Sequence, residues 1–349
     1  MRSSENRRSR SAVSFFLSWL AVLAILLIVV GIVASLFVGD IWIDADAVVQ
    51  ALFHHDANLS QHVIVRDWRL PRALADVLVG AALAMAGTIM QAVTRNPLAS
   101  PAIMGLTTGA GFATIVAMVL WPAAGRADLM FGSIAGATLG AALVYGLGSC
   151  SRGGLTPVRL ALTGMAVSVV LGAVGDGLMI YNELGQDVLL WYARGNENVQ
   201  WADVVMLLPL VAVGTLSAFA LAPTLSVLML GEHVARGLGQ RTRFTKFAAA
   251  ATVLVLAGAA VAVAGPVGFI GLMIPHIVRA IVGLDHRLVI PGSALCGAIL
   301  MLAADLGAHL STTAYRAPVP VGVVTAIMGV PFFLYLACRP PKCLRKGGP

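Results

Sequence analysis

Ten runs of mostly apolar residues follow one another along the chain, roughly 13–37, 73–93, 103–121, 130–149, 158–180, 202–222, 244–264, 268–283, 288–308 and 320–338. A helix of about twenty such residues matches the hydrocarbon thickness of a bilayer. Within that layer the backbone has no water to bond, so a chain patterned this way has to cross as helices. The predicted fold class is therefore an all-α polytopic membrane protein of about ten transmembrane helices, one transmembrane domain over 1–349. Composition agrees: 59% of residues are hydrophobic and 11% charged, and the mean hydropathy of +0.90 excludes a soluble domain of this size.

The charges set topology rather than chemistry. Arg2, Arg7, Arg8 and Arg10 precede an apolar run, 12–38, about twice as long as a signal-peptide core and with no cleavage site after it, which reads as a retained first helix. With both termini placed in the cytoplasm, 17 of the 23 Lys and Arg fall on that side, leaving Arg66, Arg69, Arg72, Arg126, Arg194 and Arg316 outside. The net charge of +7 is dispersed among apolar spans, so no nucleic-acid partner is expected. Cys150, Cys296, Cys338 and Cys343 form no CxxC and are expected to be free thiols.

Small residues carry a second pattern. Gly80-Ala-Ala-Leu-Ala-Met-Ala-Gly87 is echoed by Gly258-Ala-Ala-Val-Ala-Val-Ala-Gly265, and at the same offset of 178 Pro97 meets Pro275 and Gly105 meets Gly283. Five spans separate the copies, so they point in opposite directions. That predicts an inverted internal repeat, with halves at about 13–180 and 191–340. Gly132, Gly136 and Gly140 form a doubled GxxxG, which reads as close helix packing.

Polar residues inside the apolar runs are few. Gln91 reads first as an amide tying helices together and second as a path-lining group. Asp176 and Asp305 are candidates for function, or for carboxylates that reach water or a neighbouring Arg. His54, His55, Asp56 and His62 lie in one outer loop, but adjacent side chains point apart and no metal site is expected. No G-x-x-x-x-G-K-[ST] occurs, so the chain holds no nucleotide by that device.

Three blocks then fall in order: R-x-P-R at Arg69 and Arg72, leading into G-A-x-L-A-x-x-G-x-x-x-Q from Gly80 to Gln91 and R-N-P-L-A-x-P from Arg95; GPVGFIGLMIPHIVRAIVGLDHR from Gly265 to Arg287; and PVGVVTAIMGVPFFLYL from Pro320 to Leu336. Together they resemble the FecCD family of ABC-importer permeases, which move ferric siderophores, haem or cobalamin. The resemblance implies a type II ABC-importer permease in a bacterial inner membrane. It would pair with a second, identical or homologous permease subunit, two cytoplasmic ABC ATPases and a periplasmic or lipid-anchored substrate-binding protein. ATP and Mg would be used by the separate ATPase, and no cofactor is expected on this chain.

By match, Arg69 and Arg72 would meet acidic residues of the binding protein. The family's third basic contact falls here on His309, with Arg316 as a displaced substitute, and Pro318 stands where a Glu is usual. The 225–246 loop would dock into the ATPase through Gly231, Glu232, Ala235, Leu238 and Gly239. The path would involve Gln91, Asn96, Pro97, Thr156 and Asp176. A ferric siderophore is the first substrate, because GGLTPVRLALTG (153–164) resembles the catecholate-siderophore type; haem and cobalamin are the alternatives. An ion-coupled secondary transporter would need more midplane ionisable groups than Asp176 and Asp305, and an integral-membrane enzyme would need a clustered polar site.

Overall fold

The computed structural model describes residues 2–39, 42–102, 105–149, 157–183, 199–315 and 319–338. Their regular structure is helical throughout, in the order α1 (Arg2–Phe37), α2 (Ala45–Phe53), α3 (Ser60–Val63), a π-helical turn (Ile64–Arg69), α4 (Leu70–Thr94), α5 (Leu106–Leu120), α6 (Arg126–Ser149), α7 (Pro157–Tyr181), α8 (Trp201–Met229), α9 (Glu232–Gly237), α10 (Thr242–Ala264), α11 (Ile270–Val282), α12 (His286–Tyr315) and α13 (Val321–Cys338). Among the described residues seven helices are long and apolar enough to cross a membrane, and three shorter apolar ones begin at Leu106, Ile270 and Val321. These ten correspond one for one to the ten apolar runs.

α4 is the hub. Pro71 sits in its first turn, where the missing N–H costs nothing, and Arg95 ends it in a left-handed conformation at φ 51°. Eighteen of its 25 residues are buried, against α12, α10, α8, α11 and α1. Lipid tails are as apolar as leucine, so helices associate in the bilayer through close contact of small residues. A methyl placed on Gly80 would lie 2.3 Å from the Gly297 carbonyl oxygen of α12, and one on Gly87 would lie 1.9 Å from the Gly271 carbonyl oxygen of α11. Thr88 Oγ1 adds a 2.9 Å hydrogen bond to Ser293 Oγ in the same seam. In α6, Gly136 and Gly140 meet the backbone of α5 and its cap at Gly109 and Gly105, whereas Gly132 has nothing within 4 Å. Two of the three glycines in the doubled GxxxG therefore make the contact.

α5 and α11 depart from the expected spans. With 15 and 13 residues they rise only about 20 Å, short of the roughly 30 Å hydrocarbon core. Irregular backbone precedes each, and inside a membrane such backbone is tolerated only where protein buries it; Ala99, Ser100 and Pro101 before α5, and Gly265 and Val267 before α11, are buried. A long helix, a short one and two more helices follow in that order from α4 and again from α10. The glycine and proline landmarks, however, are not equivalent within that order. Gly87 is inside α4 while Gly265 caps α10, and Pro97 precedes α5 while Pro275 lies inside α11. In a chain with 37 glycines, a shared offset marks small-residue packing rather than register.

Candidate functional site

At one end of the bundle the arginine collar is turned inward. The helix starts earlier than the apolar run, so Arg72 lies within α4 and Arg69 caps it, exposed by only 7% and 9%. Arg69 Nη1 donates to the Leu36 carbonyl of α1 at 2.7 Å. Arg72 donates from Nε and Nη2 to Asp305 Oδ1 of α12 at 3.0 and 2.5 Å. Asp305 is fully buried, so of the two readings open for it the arginine-paired one matches its place. Asp76, one turn beyond Arg72 and equally buried, escaped the sequence reading; its spacing of four from an arginine on a helix was the available signal. His309 is half-buried on α12, and Arg316 lies outside the described residues.

The exposed basic residue of the collar is Arg66, whose carbonyl accepts Trp201 Nε1 at 2.9 Å. Beside it opens a cleft of about 530 Å³, lined by Asp67, Trp68, Arg126, Val199, Gln200, Trp201 and Ala202. Arg126 pairs with Asp203, which also accepts the Gln200 amide at 2.9 Å and caps α8. Trp68 and Trp201 are exposed, rings suited to an interface that is apolar on one side and wet on the other.

At the opposite end lies α9. Buried Leu225, Leu228 and Thr245 extend α8 and α10 into the expected 225–246 loop, leaving 230–241 to connect them. Gly231 enters α9 at φ 123° and Gly239 leaves it at φ 80°, a region that favours glycine. Ala235 is buried, while Leu238 is 69% exposed and Val234 48%. Glu232 bonds Lys246 Nζ at 2.7 Å and Arg236 Nη2 at 2.6 Å, and the Lys246 ammonium holds its carboxyl below the usual glutamate value. A carboxylate with a lowered pKa supports the fold in full above its unfolded pKa and loses that support as pH falls through the lowered one. Neutral pH therefore leaves this clamp intact. Gln240 Nε2 ties the connector to the Thr224 carbonyl at 2.9 Å. The five sequence-predicted residues thus divide: Gly231, Glu232, Ala235 and Gly239 shape and fasten the segment, and Leu238 is an apolar side chain left exposed on it.

The path candidates are not brought together. Gln91 is buried between α4 and α11, donating to the Gly271 and Leu272 carbonyls at 3.2 and 3.3 Å and accepting from Arg279 Nη2. Asn96 Oδ1 accepts the Leu98 amide at 3.0 Å in a turn with exposed Pro97. Asp176 is exposed on α7, near the collar end, and Thr156 lies outside the described residues. Between α2 and the π-helical turn, His62 Nδ1 accepts the Asp56 amide at 3.1 Å. Among the described residues no group of three His, Cys, Asp or Glu could hold a metal ion.

Comparison with known proteins bears on this arrangement as a whole. A family model described as the FecCD transport family matches residues 26–339. The iron(3+)-hydroxamate import system permease protein FhuB of Bacillus subtilis (strain 168) is 45% identical over 313 residues, 90% of this chain and 81% of that one. The Fe(3+)-citrate import system permease protein YfmD of the same organism is 42% identical over 337 residues, 97% of this chain and 98% of its own. A solved structure described as an inward-facing conformation of a metal-chelate type ABC transporter superposes with a TM-score of 0.78 at 27% identity, covering 92% of this chain and 99% of that one.

Proposed function

The chain belongs to the FecCD transport family, and from that premise we propose that it is the membrane permease of an ATP-driven importer for iron(III) held by an oxygen-donor chelator, a siderophore or citrate. The observation that carries the substrate class is the near end-to-end match to iron(3+)-hydroxamate and Fe(3+)-citrate import permeases. Haem and cobalamin are the alternative cargoes. ATP hydrolysis belongs to a separate pair of ABC ATPases, and a binding protein delivers the substrate. The chain sits in the bacterial inner membrane beside a second permease subunit, with both termini cytoplasmic, because that orientation puts Arg95, Arg236, Arg241, Arg243 and Lys246 inside.

On this reading the collar end faces the binding protein. The exposed Arg66 and the two tryptophans offer the contact, since a guanidinium forks onto carboxylates and exposed rings supply area. Arg69 and Arg72 act beneath the surface, fixing α4 against α1 and α12. The α9 end faces the ATPase through Leu238 and Val234, and the apolar outward face of α7 with Asp176 faces the partner permease and the path. An isolated apolar anchor of this exposure is worth about 2 kcal/mol, or about thirtyfold in affinity. Leu238→Asp is therefore expected to insert normally yet lose ATPase association and most uptake.

The decisive experiment is ATP-dependent uptake in proteoliposomes containing the permease, its ATPase and its binding protein. Ferric hydroxamate, ferric citrate, a ferric catecholate, haem and cobalamin are offered in parallel. Uptake of an iron(III) chelate that needs both ATP and binding protein is the expected result. Uptake driven by an ion gradient without ATP would overturn the reading, and preference for haem or cobalamin would overturn its substrate.

A further inference from the structure

Three residues that the motifs leave unconnected form one unit. Pro275 lies inside α11. A proline has no N–H to give to the carbonyl four residues back, so the carbonyl of buried Gly271 loses its helical donor. Gln91 Nε2 of α4 bonds that carbonyl at 3.2 Å, and the next one, Leu272, at 3.3 Å. Arg279, one turn beyond Pro275, donates to Gln91 Oε1. A single amide from α4 thus closes the gap that the proline opens in α11, and α11 holds that amide in return.

The surroundings give this clamp a direction. α11 is a short rod between two left-handed joints, Phe269 at φ 65° and Gly283 at φ 85°. The Phe269 ring packs on Gly329 of α13, where an added methyl would lie 2.3 Å from its Cγ. One turn past Gln91, α4 ends at Arg95, whose Nη1 is 3.9 Å from the place a methyl on Gly231 would occupy, at the entry to α9. Arg95 thus lies near the entry to α9, Gln91 bonds α11, and α11 is joined through Phe269 to α13, a series of neighbours from one end to the other.

We infer that Gln91 and Arg279 are positioning residues that make α11 a lever, joining displacement of the α9 segment to α13 through the carbonyl orphaned by Pro275. The inference rests on the importer reading. A purely structural role predicts that any repair of the Gly271 carbonyl suffices. A lever requires that the repair come from α4.

Pro275→Ala separates the two, because it returns an N–H to that carbonyl from within α11. In the reconstituted transporter with ferric hydroxamate as probe, Gln91→Leu is expected to melt at a lower temperature than the wild type. Gln91→Leu/Pro275→Ala is expected to melt well above Gln91→Leu, short of the wild type because Arg279 still lacks the Gln91 acceptor, yet to hydrolyse about fivefold more ATP per iron imported. A wild-type ATP-to-iron ratio in the double variant would overturn the lever and leave Gln91 a structural filler. A double variant melting no higher than Gln91→Leu would overturn the orphaned-carbonyl argument. ATP-independent uptake by the wild type would remove the importer reading itself, and the lever with it, before any substitution is compared.

Discussion

Asp305→Ala is expected to destabilise the folded permease by about 3–5 kcal/mol, the range for breaking a buried ion pair at one partner. Arg72 is only 7% exposed and has both Nε and Nη2 on Asp305 Oδ1. Removing the carboxylate takes the Asp305 counter-charge away from a buried guanidinium. Replacing both partners with apolar residues of similar volume, Arg72→Met with Asp305→Leu, removes that guanidinium charge as well and is expected to recover part of the loss, the buried Asp76 one turn away keeping the rest. Thermal unfolding of the detergent-solubilised protein reads both variants. A single variant as stable as the wild type, or a double variant no better than the single, would show that the pair does not hold α4 to α12.

That pair marks where the sequence stopped being informative. Ten apolar runs became ten apolar helices because hydrophobic length is a local property that the bilayer enforces. The small-residue run from Gly80 to Gly87 stood out too, though as one copy of a repeat; the fold shows it as the close-approach face that makes α4 the hub. What Arg72 touches was not legible. Arginine at the edge of an apolar run looks like a headgroup anchor, and its partner stands two hundred residues away on another helix. The same holds for Gln91: its chemistry suggested an amide joining helices, but only the fold places it over the carbonyl that Pro275 leaves empty. The short α5 and α11 were hidden for a different reason. The irregular stretch from Val267 to Phe269 before Ile270 is as apolar as a helix, so hydropathy cannot show where winding begins.

Glycine substitutions carry the other large effect, and here two positions with the same local sequence logic are expected to move in opposite directions. A methyl on Gly87 would sit 1.9 Å from the Gly271 carbonyl oxygen and 2.5 Å from that residue's Cα. Both obstacles are backbone, so relief requires α4 and α11 to separate. Overpacking costs about 1–3 kcal/mol even when side chains can yield, and Gly87→Ala is expected at or above the top of that range. At Gly132 of α6 the added methyl meets nothing within 4 Å. There Ala only trades a flexible helix residue for a better helix former, so Gly132→Ala is expected to be neutral or to stabilise by about 0.5–1 kcal/mol. Parallel melting curves for the two alanine variants test whether contact or glycine itself is what matters. Equal losses at both sites would sink the contact argument. A loss confined to Gly87 would place the stability of the bundle in the seam between α4 and α11, the seam that Gln91 crosses.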